Sequence, residues 1–263
     1  MSEDAAGESN TILTVSRGMQ VLRAFQSSRA PLANAELVRR TGLSKATVSR
    51  LTTTLLQLGF LRHVRGSRQF ELAAAPLGIG HAFVASSELL QIAEPCLQQL
   101  ADRLGVSVAL AIADGPDMLY IAYRASKKVA TLRLGVGSVL PMATTSIGHA
   151  YLWALPAQQR SPLLARLKAA VGDRAPEVVR GMNHSFDELT LSGVCGVLGG
   201  FQRDAYGVAV PIHVGRAGTV MGLSCGKADV QPDLAAERKR IAPVLKATAA
   251  QLEEMLAGCE GPA

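Results

Sequence analysis

The sequence predicts an α+β protein in two parts: a helix-rich N-terminal part that ends in a small hairpin, and a larger part that mixes strands with helices. Three observations predict it. From Val15 to Leu58 apolar residues recur every three or four positions, the period of amphipathic helices, whereas from Ser107 onward short apolar runs between turns read as strands. Residues 11–75 hold ten Lys and Arg against two acids, Glu36 and Glu71, while residues 76–263 are nearly balanced at 17 basic and 16 acidic residues. Gly42 and Gly59 fall just past helical stripes, where a left-handed closing residue is needed.

Residues 1–12, with Glu3, Asp4 and Glu8, read as a disordered polar tail and not as a secretory signal. Val15, Met19, Leu22 and Phe25 place the inward face of a first helix over about Thr14–Gln26, and 27–31 reads as a loop. Asn34 is the expected cap of a second helix, Ala35–Thr41, with Leu37 and Val38 inward. Ser44 caps a third, from Lys45 to about Leu58, whose apolar face is Val48, Leu51, Leu55 and Leu58. Residues 60–64 and 69–72 form the hairpin, with the cationic turn Arg65-Gly66-Ser67-Arg68 at its tip.

Residues 73–86 read as a connecting helix with Leu77, His81 and Val84 on one side, followed by a helical stripe from Leu89 to Leu104 containing Pro95, expected in its first turn or at a kink. Strands are expected at Ser107–Ala113, Met118–Arg124, Ala130–Leu134, Tyr206–Ile212 and Thr219–Ser224. Helices are expected at Ser146–Ala154, Ala157–Lys168, a short Glu177–Met182, and a long Pro232–Leu256 with Leu234, Ile241, Leu245, Leu252 and Met255 inward. The glycine-rich run 183–200 gives no clear period.

Composition excludes several classes. At 263 residues, 48% hydrophobic and 18% charged, the chain is long enough for a sizeable core and too apolar to be disordered. No apolar run approaches the roughly 18 residues of a membrane helix, so no membrane partner is expected and the cytoplasm is the expected compartment. Cys96, Cys195, Cys225 and Cys259 form no CxxC pair, so neither a disulfide framework nor a zinc ribbon is expected, and no cofactor or metal.

The local charge of +8 over residues 11–75 suits a domain that meets a polyanion. Two helices joined by Thr41-Gly42-Leu43-Ser44, the second polar on its outer face, form a helix-turn-helix, and the hairpin behind it is a wing. A recognition helix must bury one stripe while the other enters the major groove. The expected DNA contacts are therefore Ser44, Lys45, Ala46, Thr47, Ser49, Arg50 and Thr53 on the helix, Arg62, Arg65 and Arg68 on the wing, and Arg17 on the first helix.

These residues resemble the IclR family of bacterial transcriptional regulators. The resemblance is carried by Ser16–Leu22, by Thr41-Gly42-Leu43-Ser44-Lys45-Ala46-Thr47-Val48-Ser49-Arg50-Leu51, by Leu58–Leu61, by Leu140-Pro141-Met142-Ala143-Thr144-Thr145-Ser146-Ile147-Gly148-His149-Ala150, and by the paired strands within 206–226. It implies a winged helix-turn-helix at 13–73, a linker helix at 74–87 and a GAF-like α/β effector and oligomerisation domain at 88–258. It also implies a regulator, in most members a repressor of catabolic or efflux genes, that binds pseudo-palindromic double-stranded operator DNA as a dimer or a dimer of dimers. A small molecule in the C-terminal domain modulates that binding. The resemblance places the effector pocket at Met142, Thr144, Thr145, Ser146, Ile147, Val197, Gly207, Ser224 and Gly226. In its register the family's pocket acid, cysteine and second serine fall on Val197, Gly207 and Gly226, and its usual histidine and lysine on Ala143 and His149, so an aromatic or otherwise largely apolar effector is expected.

Rival readings are weaker. Gly222-Leu223-Ser224-Cys225-Gly226 matches the G-x-S-x-G of serine hydrolases, but a triad needs a histidine downstream and all five histidines precede Ser224. His149, His184, Cys195, His213 and Cys225 lack metal-ligand spacing. Gly193, Gly196 and Gly199 do not make a dinucleotide-binding turn. A DNA-binding protein without any ligand is the remaining alternative.

Overall fold

The computed structural model describes residues 12–26, 30–127, 129, 134–229 and 232–261. The chain forms two compact units that divide between Phe83 and Val84.

In the first unit, helices α1 (Leu13–Arg23), α2 (Asn34–Thr41) and α3 (Lys45–Gln57) precede a hairpin of β1 (Leu61–His63) and β2 (Phe70–Leu72). Val21, Phe25, Leu37, Val48, Leu55, Leu61 and Phe70 share one core. Leu32 exchanges two backbone hydrogen bonds of 2.8 Å with Phe70, which ties the segment before α2 to the hairpin. Gly42 closes α2 at φ 68°, a left-handed conformation that a side chain would strain. Helix α4 (Ala75–Ser86) carries the chain into the second unit, and none of its residues is buried.

The second unit begins with α5 (Glu88–Leu104), capped by the Ser87 hydroxyl, which accepts from the Leu90 amide. Six antiparallel strands follow: β3 (Ser107–Asp114), β4 (Asp117–Ala125), β5 (Val139–Pro141), β6 (Cys195–Leu198), β7 (Ala205–Val214) and β8 (Thr219–Ala228). They lie in the order β5-β4-β3-β8-β7-β6. Helices α6 (Ser146–Ala154), α7 (Ala157–Val171) and α8 (Ala175–Ser192) fall between β5 and β6, and α9 (Leu234–Met255) ends the unit. Strand alternation divides the side chains between two layers. Val108, Leu110, Val208, Val210, Ile212, Met221, Leu223 and Cys225 pack with α5 and α9, whereas Ala109, Ala111 and Ala209 face α6 and its neighbours. Beyond the short β6 the outer edge of β7 is closed in two ways. Pro211 offers no N–H, and the Glu253 carboxylate of α9 accepts from the His213 amide at 2.7 Å.

The α+β architecture agrees with the sequence expectation, and several elements differ from it. Val15 and Met19, expected inward, are exposed, whereas Phe25 is buried as expected and Val21 joins it. Asn34 does not cap α2: it lies inside the helix behind Ala33, with its side-chain oxygen buried and unpartnered. On α3 Leu58 is exposed, and Thr52 takes its place in the core by returning its hydroxyl proton to the Val48 carbonyl. Met255 of α9 is exposed, and Ala249 is buried in its stead. Pro95 sits in the interior of α5, not in its first turn. The expected short helix at 177–182 falls within the first half of the 18-residue α8, and β5 and β6 were not foreseen. The strand expected at 130–134 falls, but for Leu134, outside the described residues, as do most of the expected tail and positions 27–29.

Candidate functional site

The first unit presents a cationic edge. Ser44 accepts from the Thr47 amide at 3.2 Å and so fixes the start of α3. Val48, Thr52 and Leu55 bury one stripe, which turns Lys45, Ala46, Ser49, Arg50 and Thr53 to solvent. Thr47 is half-buried and bonded to Ser44, and Thr53 donates its hydroxyl proton to the Ser49 carbonyl. On the hairpin Arg65 and Arg68 are exposed at the tip, and Arg17 is half-buried on α1.

The two acids near this edge are both engaged. Hydrogen bonds from Arg39 and Arg40 hold the Glu36 carboxyl down at about 2, and Glu71 pairs with Arg62 at 3.0 Å across the hairpin. Arg62 is thus partly neutralised where it stands. Lys45, Arg50, Arg65 and Arg68 have no ion-pair partner among the described residues. Their field is left for an external anion.

The second unit holds a cavity on the α6 side of the sheet, with about 550 Å³ of space between its atoms and at its mouth. Its floor follows from the sequence. Every second residue on three adjacent strands is small: Ser107 and Ala109 on β3, Gly207 and Ala209 on β7, and Ser224 and Gly226 on β8. Large side chains at the alternate positions fill the other layer, so the α6 side has room. Three glycines let α6 settle on the sheet. A Cβ on Gly148 would meet the Met142 carbonyl oxygen at 2.2 Å, one on Gly222 the Ile147 side chain at 2.5 Å, and one on Gly207 the Ser146 hydroxyl at 2.6 Å.

Seven of the nine expected pocket residues line this cavity: Thr145, Ser146, Ile147, Val197, Gly207, Ser224 and Gly226. Met142 is instead a fully buried core residue beneath Gly148. Thr144 looks onto a neighbouring groove and donates its hydroxyl proton to the Gly200 carbonyl at 2.7 Å. Sequence reasoning missed Ser107, Tyr120, Tyr123, Leu140 and Phe201. The small-residue alternation on the strands was the signal that could have found the floor.

Among the described residues no Asp, Glu, Lys, Arg or His lines the cavity. Its polar groups are hydroxyls and the start of α6. That helix has no side-chain cap, so its first amides are open, and the Ser146 hydroxyl, 4% exposed, has no hydrogen-bond partner among the described residues. At the other end the Tyr123 hydroxyl donates to Ser107 Oγ at 2.8 Å, and the two tyrosine rings, Tyr120 and Tyr123, lie nearly parallel at 6.3 Å. Burial pushes the Tyr120 hydroxyl well above the usual phenol range, against a hydrogen bond with Ser224, so it stays protonated.

His149 braces the cavity from behind. Its Nε2 donates to the Ala143 carbonyl at 2.9 Å, which leaves Nδ1 to accept from the Ser185 hydroxyl at 2.8 Å. Ser224 lies mid-strand in β8 and not at a strand-to-helix elbow. Among the described residues no three His, Cys, Asp or Glu side chains converge into a possible metal site, and no helix is long and apolar enough to cross a membrane.

Two family models match the chain: the IclR helix-turn-helix domain over residues 14–65, and the bacterial transcriptional regulator IclR C-terminal domain over residues 81–254. The HTH-type transcriptional regulator TsaQ1/TsaQ2 of Comamonas testosteroni is 29% identical over 246 residues, covering 88% of each chain. The Pca regulon regulatory protein of Pseudomonas putida is 28% identical over 255 residues, covering 96% of this chain and 87% of the relative. A crystal structure of an IclR family transcriptional regulator from Brucella abortus superposes with a TM-score of 0.84 at 31% identity, over 96% of both chains.

Proposed function

The chain belongs to the IclR family of bacterial transcriptional regulators, and from that premise we propose a repressor of catabolic or efflux genes that grips a pseudo-palindromic operator as a dimer or dimer of dimers and changes its grip when a largely apolar, aromatic molecule fills the cavity. It is a DNA-binding regulator with an effector domain and not an enzyme. The observation that carries the reading is the unpaired cationic edge of Lys45, Arg50, Arg65 and Arg68 around an exposed helix face. Arg50 sits where it can fork onto a guanine, Lys45 and Ser49 face the groove, and the wing arginines reach the flanking phosphates.

Self-association is supported by apolar surface that the single chain leaves uncovered. Ile12, Leu13, Val15 and Met19 around α1, and Leu77 and Ile79 on α4, are all more than half exposed. Residues 73–87 carry no charge at all. A second copy offers the same faces in return, which is how a two-fold interface is built, and two recognition helices then meet half-sites about 34 Å apart.

The neutral lining among the described residues supports a ligand chosen by shape and apolar contact. A gel-shift series on duplexes from the protein's own promoter region tests the DNA reading. Arg50→Ala is expected to weaken binding by about 1–3 kcal/mol and relax the sequence preference. Unchanged affinity and specificity would refute the assignment of α3. Deleting the gene is expected to raise transcription of its targets; a fall makes the protein an activator.

A further inference from the structure

We propose that the groove beside the cavity is its entrance, and that Phe201 is the gate between the two, held shut by the Thr144 hydroxyl. The inference rests on reading the cavity as the effector site and goes on to say how that site is reached and what controls access to it.

The groove lies against β6, α8 and the start of α9, and holds about 1450 Å³ counting its open side. Val197, Gly200 and Phe201 line the groove and also the cavity, so these three residues form a wall common to both. The two spaces differ in kind. Arg174, Glu177 and His184 stand in the groove's wall, whereas no charged residue stands in the described wall of the cavity. A passage from the first to the second leads from wet surface to drier interior.

The common wall is held at one point. Residues 199–204 join β6 to β7, and both feet of this loop are pinned. The Gly199 amide donates to the Ala205 carbonyl, and the Asp229 amide donates to the Asp204 carbonyl, each at 2.8 Å. Between the feet, residues 200–203 make, among the described residues, a single hydrogen bond to anything outside the loop. It runs from the Thr144 hydroxyl to the Gly200 carbonyl at 2.7 Å. A Cβ on Gly200 would lie 2.1 Å from the Thr144 carbonyl oxygen, so the loop rests directly on the segment before α6. Phe201 comes next, 40% exposed, and it belongs to neither core layer of the unit. Gly199, at φ 74°, gives the backbone a hinge beside it.

A local opening that breaks one hydrogen bond costs far less than unfolding. Here it swings Phe201 off the common wall and joins groove to cavity. Thr144 immediately precedes Thr145 and Ser146, which line the cavity, so a ligand settled at the start of α6 lies one residue from the latch.

Thiol labelling tests this without the natural ligand. Ser224→Cys places a reactive sulfur on the cavity floor, and the four native cysteines are buried, so the unmodified chain gives the background. The probe is benzyl methanethiosulfonate, which leaves a benzylthio group on a thiol it reaches, and mass spectrometry follows the rate at one pH. Adding Thr144→Val, which removes the latch hydroxyl and keeps the side chain's shape, is expected to speed labelling at position 224 about fivefold. Phe201→Ala is expected to speed it at least as much, and Thr144→Val then adds little, because the latch has no gate left to hold. Two variants are used so that the result does not hang on one of them folding. A rate unchanged by both substitutions in folded chains overturns the gate and leaves the cavity reading standing. The labelled chain tests that reading separately. With the benzylthio group in the cavity, affinity for a duplex from the protein's own upstream region is expected to change about fivefold or more. Unchanged affinity overturns the cavity as the effector site and leaves the gate standing; no labelling at position 224 in any folded chain overturns both.

Discussion

His149 illustrates how much one buried side chain can hold in place. It joins α6 to α8 through Ser185 and to the segment before α6 through Ala143, and both ring nitrogens are used. Burial pushes its pKa below the ordinary imidazole value, against the hydrogen bond to Ala143, so the ring is neutral in the folded protein. A depressed pKa means that the unfolded chain takes up the proton first. Stability from this residue is therefore fully present above the unfolded value of about 6.5 and is lost as pH falls below it towards the folded value. Thermal melts are expected to show a decline from pH 7 to pH 5 that His149→Gln largely removes; an identical decline in that variant would place the sensitivity elsewhere. At this scale the sequence was partly legible. Ser44, Lys45 and Arg50 follow from the glycine turn and the helical period, and Ser224 and Gly226 from the register of the family resemblance. Ser107 and Tyr123 were not legible as site residues, because they enter the cavity from strands far from the resemblance-bearing segment at 140–150 and only sheet pairing brings them there.

Elements explain where sequence reading went astray. Helix α1 carries two apolar stripes, and periodicity alone cannot say which one faces the core. Val21 does, with Phe25 beyond the helix end as expected, while Val15 and Met19 face out. Helix α4 is largely apolar yet buries none of its residues in the single chain, which suits the proposed self-association. Under the proposed self-association both departures have one physical cause: surface reserved for a second copy looks like core in a sequence. Ile79→Glu puts a charge on that surface where the single chain buries nothing, so it is expected to leave the monomer fold intact while weakening dimerisation by about tenfold or more. Sedimentation equilibrium measures this, and an unchanged dimer would move the interface off α4. Helix α8 was read too short for another reason. Its Gly181 and the glycines after Ser192 interrupt the apolar pattern, yet the helix runs through the first and stops only at Gly193, with φ 74°.

At the scale of the whole molecule, a cationic unit and an effector cavity lie on one chain, and α4 links the units that carry them. The division of labour was legible from charge alone, since residues 11–75 hold the surplus of basic groups. The cavity's true lining was not, because it is assembled from β3, β4, β7, β8 and α6 together. A ligand acts on DNA affinity only through a difference in its own affinity for the two forms, typically worth about 1–3 kcal/mol. All of this presupposes that the cationic edge binds duplex phosphate. Fluorescence anisotropy of a duplex from the protein's own upstream region, titrated across a series of salt concentrations, addresses that most directly. If six to ten phosphates are contacted, affinity is expected to fall by about 10³–10⁵ between roughly 50 and 200 mM salt. No affinity at low ionic strength, or affinity indifferent to salt, would contradict the account.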